Sequence, residues 1–331
     1  MLISAFGWYG GLIGGGMVIC ILLGYFMAKK RGYDTDNIFD IALICIPLAI
    51  LGARTYYVLN DMAHNGTKWT IGEYFGFSGG QFVGFAGLAI YGGLLGGILG
   101  AVIVRQLNKR KPIEKQITFI QMADLCFCLI ILGQAIGRWG NFANGEAYGQ
   151  LITDPSWQWF PFAVYVEHGK MGTGWYNACF FYESLWNFIG FGLLQWLYNG
   201  KRKSFDGFYF AFYCIWYGFI RFWIEMLRSD SMYFGGIKAN CLISALILIF
   251  GIGIIVYHII MARRAGKKPF IFVYENELNF DYYGYDKSFL YLKTTFGKKR
   301  TNAATKAKGK ARQEANEEIK EEEQADGENN Q

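Results

Sequence analysis

The sequence predicts an all-α integral membrane protein with about seven spanning helices and small outer cap segments. Three observations carry that prediction. Apolar residues make up 53% and aromatic residues 18% of a 331-residue chain, more than a water-soluble protein of this length hides in its core. Several runs of about 20 mostly apolar residues are long enough to cross a bilayer. Basic clusters follow every second run, which is the charge asymmetry of a multi-pass topology.

The spans fall near residues 7–28, 41–59, 84–104, 117–136, 178–198, 207–227 and 239–261. The first begins almost at Met1, with no basic stretch ahead of it and no clear small-residue cleavage site, so it reads as a retained helix. Lys29-Lys30-Arg31, Arg105 with Lys109-Arg110-Lys111, Lys201-Arg202-Lys203, and Arg263-Arg264 with Lys267-Lys268 follow spans one, three, five and seven. The opposite loops carry little: Lys68, Lys170 and Lys238, plus Arg138 in the polar motif. Lysine and arginine stay cytoplasmic, which places the N-terminus outside and the C-terminus inside.

Two outer segments are long. Asn60 to Val83 is rich in Gly, Phe and Tyr, and Gln150 to Asn177 carries Trp157, Trp159, Trp175 and Tyr176. Such aromatics suit a belt at headgroup level or a small exposed cap. The third span holds Gly92, Gly93, Gly96, Gly97 and Gly100, a spacing that lets two helices approach closely. The chain therefore divides into a seven-span core, 1–262, a polar and aromatic juxtamembrane segment, 263–297, and a charged tail, 298–331, whose lysine and glutamate blocks cannot bury a core.

The seven cysteines lie inside apolar runs without metal-ligand spacing and read as packing residues. No metal, cofactor or nucleic-acid partner is expected. The polar content concentrates in Gly137-Arg138-Trp139-Gly140-Asn141-Phe142-Ala143-Asn144-Gly145-Glu146-Ala147-Tyr148-Gly149, directly after the fourth span. Polar groups at that depth persist mainly where they line a cavity or bind something, and the glycines point to irregular backbone there. A second polar stripe, Tyr217, Arg221, Glu225 and Arg228, is spaced four, four and three along one helical face. Its two arginines against one glutamate leave a spare cation suited to an anion such as phosphate. Arg54, Arg138 and Arg221, with Glu146, Glu183 and Glu225, are expected to converge on one outward-leaning cavity.

On these residues the chain resembles the prolipoprotein diacylglyceryl transferases. The long motif Gly137-Arg138-x-Gly140-Asn141-Phe142-x-Asn144-x-Glu146-x-x-Gly149 carries the resemblance. Trp8-Tyr9-Gly10, Gly52-Ala53-Arg54, Tyr91-Gly92-Gly93-Leu94-Leu95-Gly96, Phe181-Tyr182-Glu183-Ser184 and the Tyr217–Arg228 stripe support it, over roughly residues 1–262. The resemblance implies a seven-span bundle in the bacterial cytoplasmic membrane, with an active site toward the outer leaflet. It implies transfer of the diacylglyceryl group of phosphatidylglycerol to the lipobox cysteine of a prolipoprotein signal peptide, with release of glycerol phosphate. Arg138, Arg221, Glu146 and Tyr91 are then the expected catalytic residues. Tyr9, Arg54, Asn141, Asn144, Gly149, Glu183, Tyr217, Glu225 and Arg228 are the expected substrate-binding residues.

The resemblance has departures. Tyr91 stands where many members have a histidine, Asn177-Ala178 replaces a His-Pro, and Cys241 replaces a common glutamine. A phenol with an ordinary pKa near 10 is protonated at neutral pH, so the general base stays open. A polytopic transporter, a lipid-binding membrane protein or a transferase relative with altered activity are the alternatives.

Overall fold

The computed structural model describes residues 2–82, 87, 89–112, 115–145, 148–169, 172–200, 202–228, 233–234, 237–264 and 273–274. Seven long helices form the bundle: α1 (Leu2–Arg31), α2 (Asp36–Asn65), α4 (Ile90–Asn108), α5 (Phe119–Ala143), α6 (Cys179–Asn199), α7 (Phe208–Leu227) and α8 (Ala239–Arg264). A one-turn helix, α3 (Ile71–Tyr74), lies between α2 and α4. Six of the seven are apolar and long enough to cross a membrane. The other is α6, whose composition is diluted by buried Glu183, Ser184 and Asn187. Its opposite face, with Leu185, Ile189 and Trp196, is exposed and apolar like those of its neighbours. The polar residues of α6 thus point into the bundle while lipid-facing residues surround it.

The helices pack mainly as α2 with α4, α7 with α8, α1 with α5, and α5 with α6 and α7. The glycines of α4 make the first contact possible. A Cβ on Gly92 would lie 2.2 Å from the Gly52 carbonyl oxygen, and one on Gly96 would lie 2.1 Å from that of Leu48. No side chain fits there, so these glycines serve helix packing. Around α5, Leu125, Cys128 and Ile131 form a core with Leu194 of α6 and Phe208 and Tyr213 of α7.

Thr118 begins α5 with a capping box: its hydroxyl accepts the Gln121 N–H, while the Gln121 side chain accepts the Thr118 N–H. The helix then runs on through Ala143, which corrects the irregular backbone expected from residue 137 onward. Ordinary helical bonding reaches the Asn144 N–H, 3.0 Å from the Gly140 carbonyl. Gly137 has open space about its Cα, so it neither kinks the helix nor admits a close neighbour. The regular path ends at Asn144, and Gly145 follows with φ +67°.

Beyond α5, the chain forms an antiparallel hairpin of β3 (Ala163–Gly169) and β4 (Gly172–Asn177). Val164 pairs with Tyr176, and Leu151 bridges to Tyr176 from the other side. Tyr148, Val166, Tyr176 and Phe180 bury a small second core against the start of α6. Three two-residue strand pairings join the longer elements. Phe77–Ser78 and Gln81–Phe82 (β1, β2) follow α3, and Tyr233–Phe234 and Ile237–Lys238 (β6, β7) join α7 to α8. Arg202–Lys203 (β5) pairs with Val273–Tyr274 (β8), the described part of the juxtamembrane segment. The tail, 298–331, lies outside the described residues.

Candidate active site

One end of the bundle gathers the charges of the sequence motifs. The last turns of α5 and α7 meet the first turn of α6 there. Arg138 Nη2 lies 2.5 Å from Glu183 Oε1. The other oxygen of Glu183 is 3.5 Å from Arg221 Nη1. Arg221 Nη2 is 2.7 Å from Glu225 Oε2, one turn along the same helix. Glu225 Oε1 accepts a 3.0 Å bond from Asn240 Nδ2 of α8. The result is a chain of alternating charge, Arg138–Glu183–Arg221–Glu225, spanning three helices.

Burial in this chain is unequal. The carboxylate side chains are 3% and 0% exposed, whereas those of Arg138 and Arg221 are 18% and 12% exposed. Carboxylates this deep need their cations, because removing one partner of a buried pair costs about 3–5 kcal/mol. The arginines keep an accessible side, and a guanidinium presents several donors at once. Such a pair is arranged to take an oxyanion without losing its anchoring carboxylates.

Trp139 and Ser184 frame the first pair. Trp139 Nε1 donates to Ser184 Oγ at 3.0 Å, and Ser184 Oγ donates to the Ala135 carbonyl at 2.8 Å. This stitches α5 to α6 one residue beyond Arg138 and Glu183. Below them, Tyr217 stacks on Tyr213, with ring centroids 5.6 Å apart. Gln134 Nε2 reaches the Tyr213 hydroxyl at 2.8 Å. Tyr217 lies one turn before Arg221 on the same face of α7.

Gly149 has a steric reason to be glycine. An added Cβ would meet Asn177 Cβ at 2.6 Å and Cys179 Sγ at 2.7 Å. Its N–H donates to the Asn177 carbonyl at 2.9 Å, and it bridges to Arg228. Gly149 therefore ties the motif to the end of α7 and sets the position of Arg228. Tyr148 is buried beside it, and burial pushes its phenol pKa up. Asn141 and Asn144 stand half-buried at the end of α5.

Arg54 and Tyr91 make contacts outside the ion chain. Arg54 is only 2% exposed. Its guanidinium donates to the carbonyls of Tyr74 at 3.0 Å, Gly87 at 3.2 Å and Glu73 at 2.6 Å. It also lies 4.8 Å from the Trp69 ring centroid. Arg54 thus pins the segment after α2 onto the bundle. Tyr91 is 46% exposed at the start of α4, its ring 6.2 Å from that of Tyr56 on α2. Glu146 and the side chain of Tyr9 lie outside the described residues.

The family model of the prolipoprotein diacylglyceryl transferases matches residues 2–257. The chain belongs to that family. It is similar to the phosphatidylglycerol–prolipoprotein diacylglyceryl transferase of Listeria welshimeri, 37% identical over 263 residues, 79% of this chain and 87% of the relative. The enzyme of the same name from Streptococcus sanguinis is 36% identical over 264 residues, 80% of this chain and 93% of the relative. Phosphatidylglycerol–prolipoprotein diacylglyceryl transferase 1 of Clostridium perfringens is 36% identical over 268 residues, covering 80% and 94%. Within this transferase, the matched region takes in all seven long helices to within a few residues of the end of α8.

Sequence reasoning missed Asn240 and Lys238 as parts of this region. Lys238 Nζ donates to the carbonyls of Glu225 at 2.7 Å and Arg228 at 2.8 Å. The short connection between α7 and α8 was the available signal, since it forces residues near 225 and 240 to face each other.

Proposed function

We propose that this membrane transferase moves the diacylglyceryl group of phosphatidylglycerol onto the lipobox cysteine thiol of a prolipoprotein, at the outer face of the bacterial cytoplasmic membrane. The observation that carries this reading is the Arg138–Glu183–Arg221–Glu225 chain, whose two arginines keep their accessible sides at one end of the bundle. The thiolate sulfur attacks the glycerol carbon that bears the phosphate. A carbon–sulfur bond forms and the carbon–oxygen bond breaks. The electron pair stays on the departing glycerol phosphate, and the thiol proton passes to that phosphate or to water.

The new charge develops on phosphate oxygens, so fixed donors aimed there lower the barrier most. Arg138 and Arg221 fill that role, and Glu183 and Glu225 hold them in place. Tyr217 offers a phenol to the same oxygens. Asn141, Asn144 and Arg228 serve the headgroup and the peptide, and the family resemblance assigns Tyr9 and Glu146 to substrate as well. Tyr91 acts as a positioner, since an ordinary phenol is a weak base at neutral pH. The four basic clusters, which follow α1, α4, α6 and α8, orient the bundle with the site outward.

The test is product analysis. Purified protein, labelled phosphatidylglycerol and a lipobox peptide give thioether-lipidated peptide and glycerol phosphate in equal amounts. Failure to form either product, in protein that retains its fold, overturns the reading.

A further inference from the structure

A site that releases a phosphate monoester needs a surplus of positive charge. The four charges of the ion chain cancel, two guanidiniums against two carboxylates, so the surplus must come from cations beside it, of which Arg228 is one. Lys238 stands at the next step of the network. Its ammonium donates to three carbonyls at the end of α7: Glu225 at 2.7 Å, Arg228 at 2.8 Å and Met226 at 3.4 Å. Carbonyl dipoles hold a cation without neutralising its charge, and the C-terminus of a helix is where a cation is best held. Glu225, whose carbonyl Lys238 grips, is the residue whose carboxylate holds Arg221. Asn240, two residues beyond Lys238, donates to the second oxygen of that carboxylate. The backbone and the side chain of Glu225 are therefore both fixed from the segment that opens α8.

We infer that Lys238 is a positioning residue for the transferase reaction, adding positive charge beside the ion chain and, with Asn240, fixing the Glu225–Arg221 pair that receives the phosphate. The inference rests on the transferase reading. A plain helix cap would give the same hydrogen bonds, but it would not set affinity for an anion. Charge separates the two roles. Lys238→Gln keeps a donor for the carbonyls and removes the cation. Lys238→Arg keeps both.

The experiment measures product inhibition by glycerol phosphate, together with KM for phosphatidylglycerol and for the lipobox peptide. Lys238→Gln raises the inhibition constant and the KM for phosphatidylglycerol about tenfold, and leaves the KM for the peptide within about twofold. Lys238→Arg returns both toward wild type. An unchanged inhibition constant in Lys238→Gln, whatever its melting temperature, overturns the inference. If that variant does not fold, Lys238→Ser serves instead. It too removes the cation, and no rise in its inhibition constant is again decisive against the proposal. Wild-type protein that makes no product defeats the transferase reading itself. Active wild type with unresponsive variants defeats only the role of Lys238.

Discussion

The two ends of the bundle each bury charged groups, but they satisfy them in different ways. At the basic end, Asp124 of α5 accepts the backbone N–H groups of Gly207 at 2.7 Å and Phe210 at 2.9 Å. It caps α7 from a neighbouring helix. Arg31 donates to the Tyr198 carbonyl and to the Tyr209 hydroxyl at 2.8 Å, and its guanidinium carbon lies 4.1 Å from the Tyr198 ring centroid. The hydrogen bonds of these two charges go to backbone groups and a neutral hydroxyl, and Arg31 acts on Asp124 and Asp206 only at longer range. At the opposite end, Arg138, Glu183, Arg221 and Glu225 hold one another. A charge bonded to the backbone is committed to the fold, because its partner cannot move. An arginine bonded to a carboxylate already has the geometry for a second oxyanion, and it can shift between the two.

The largest expected effect tests that contrast at Arg138. Arg138→Gln removes the fork and the charge, and turnover should fall about 100-fold or more, the scale for losing one transition-state donor. Arg138→Lys restores the charge without the planar fork and should recover only part of the loss. Single-turnover rates on protein of unchanged elution profile make the measurement. A turnover within a few-fold of wild type in Arg138→Gln would move the site away from the ion chain.

Arg54 sharpens the comparison, because it lies at the same end as the site yet bonds like the residues of the other end. Arg54→Lys offers one ammonium to three carbonyls that are spread around a fork. The variant should lose about 1–3 kcal/mol of stability through carbonyls left unpaired. Turnover per folded molecule should stay within about threefold, since substitutions away from the reacting groups act chiefly through stability. A variant that melts like wild type but turns over tenfold more slowly would place Arg54 against the substrate.

These placements show which parts of the molecule the sequence makes legible. The spans are legible because a bilayer demands long apolar runs, and α6 is the least apolar because its buried Glu183, Ser184 and Asn187 dilute it. Arg221 and Glu225 are legible as a pair because a spacing of four puts them on one face. Glu183 is not legible as the joint between two arginines. That requires α6 to lie between α5 and α7, where Glu183 pairs with Arg138 and Arg221 together. The partners of Arg54 are carbonyls, which no side-chain pattern reports. The glycines of the motif mislead in the other direction. Gly137 sits in regular helix with open space about it, whereas close contact requires Gly149 to be glycine.

The smallest expected effect on turnover belongs to Asp206, in the loop before α7 at the basic end. Burial pushes its carboxyl up to about 6, from an ordinary 3.8, while the Gln121 amide and the Arg31 charge pull the other way. Asp124 stands close enough to interact with it. A raised folded pKa means that between about 4 and 6 the folded protein holds a proton the unfolded chain has lost. Its contribution is therefore fully present below about pH 4 and disappears as pH rises through 6. At neutral pH the ionised group is a burden on the fold. Asp206→Asn keeps an acceptor for Gln121 Nε2, which lies 3.1 Å from the carboxylate, and removes the titration. Thermal midpoints in detergent at pH 5 and pH 7.5 provide the measurement. Asp206→Asn should melt higher than wild type at pH 7.5, and the gap between the two proteins should narrow at pH 5. Turnover should be unchanged, because the group belongs to the end of the bundle that serves the fold. A gap independent of pH would show that Asp206 is ionised throughout and paired more strongly than its neighbours indicate. A loss of turnover at unchanged stability would break the division between the two ends.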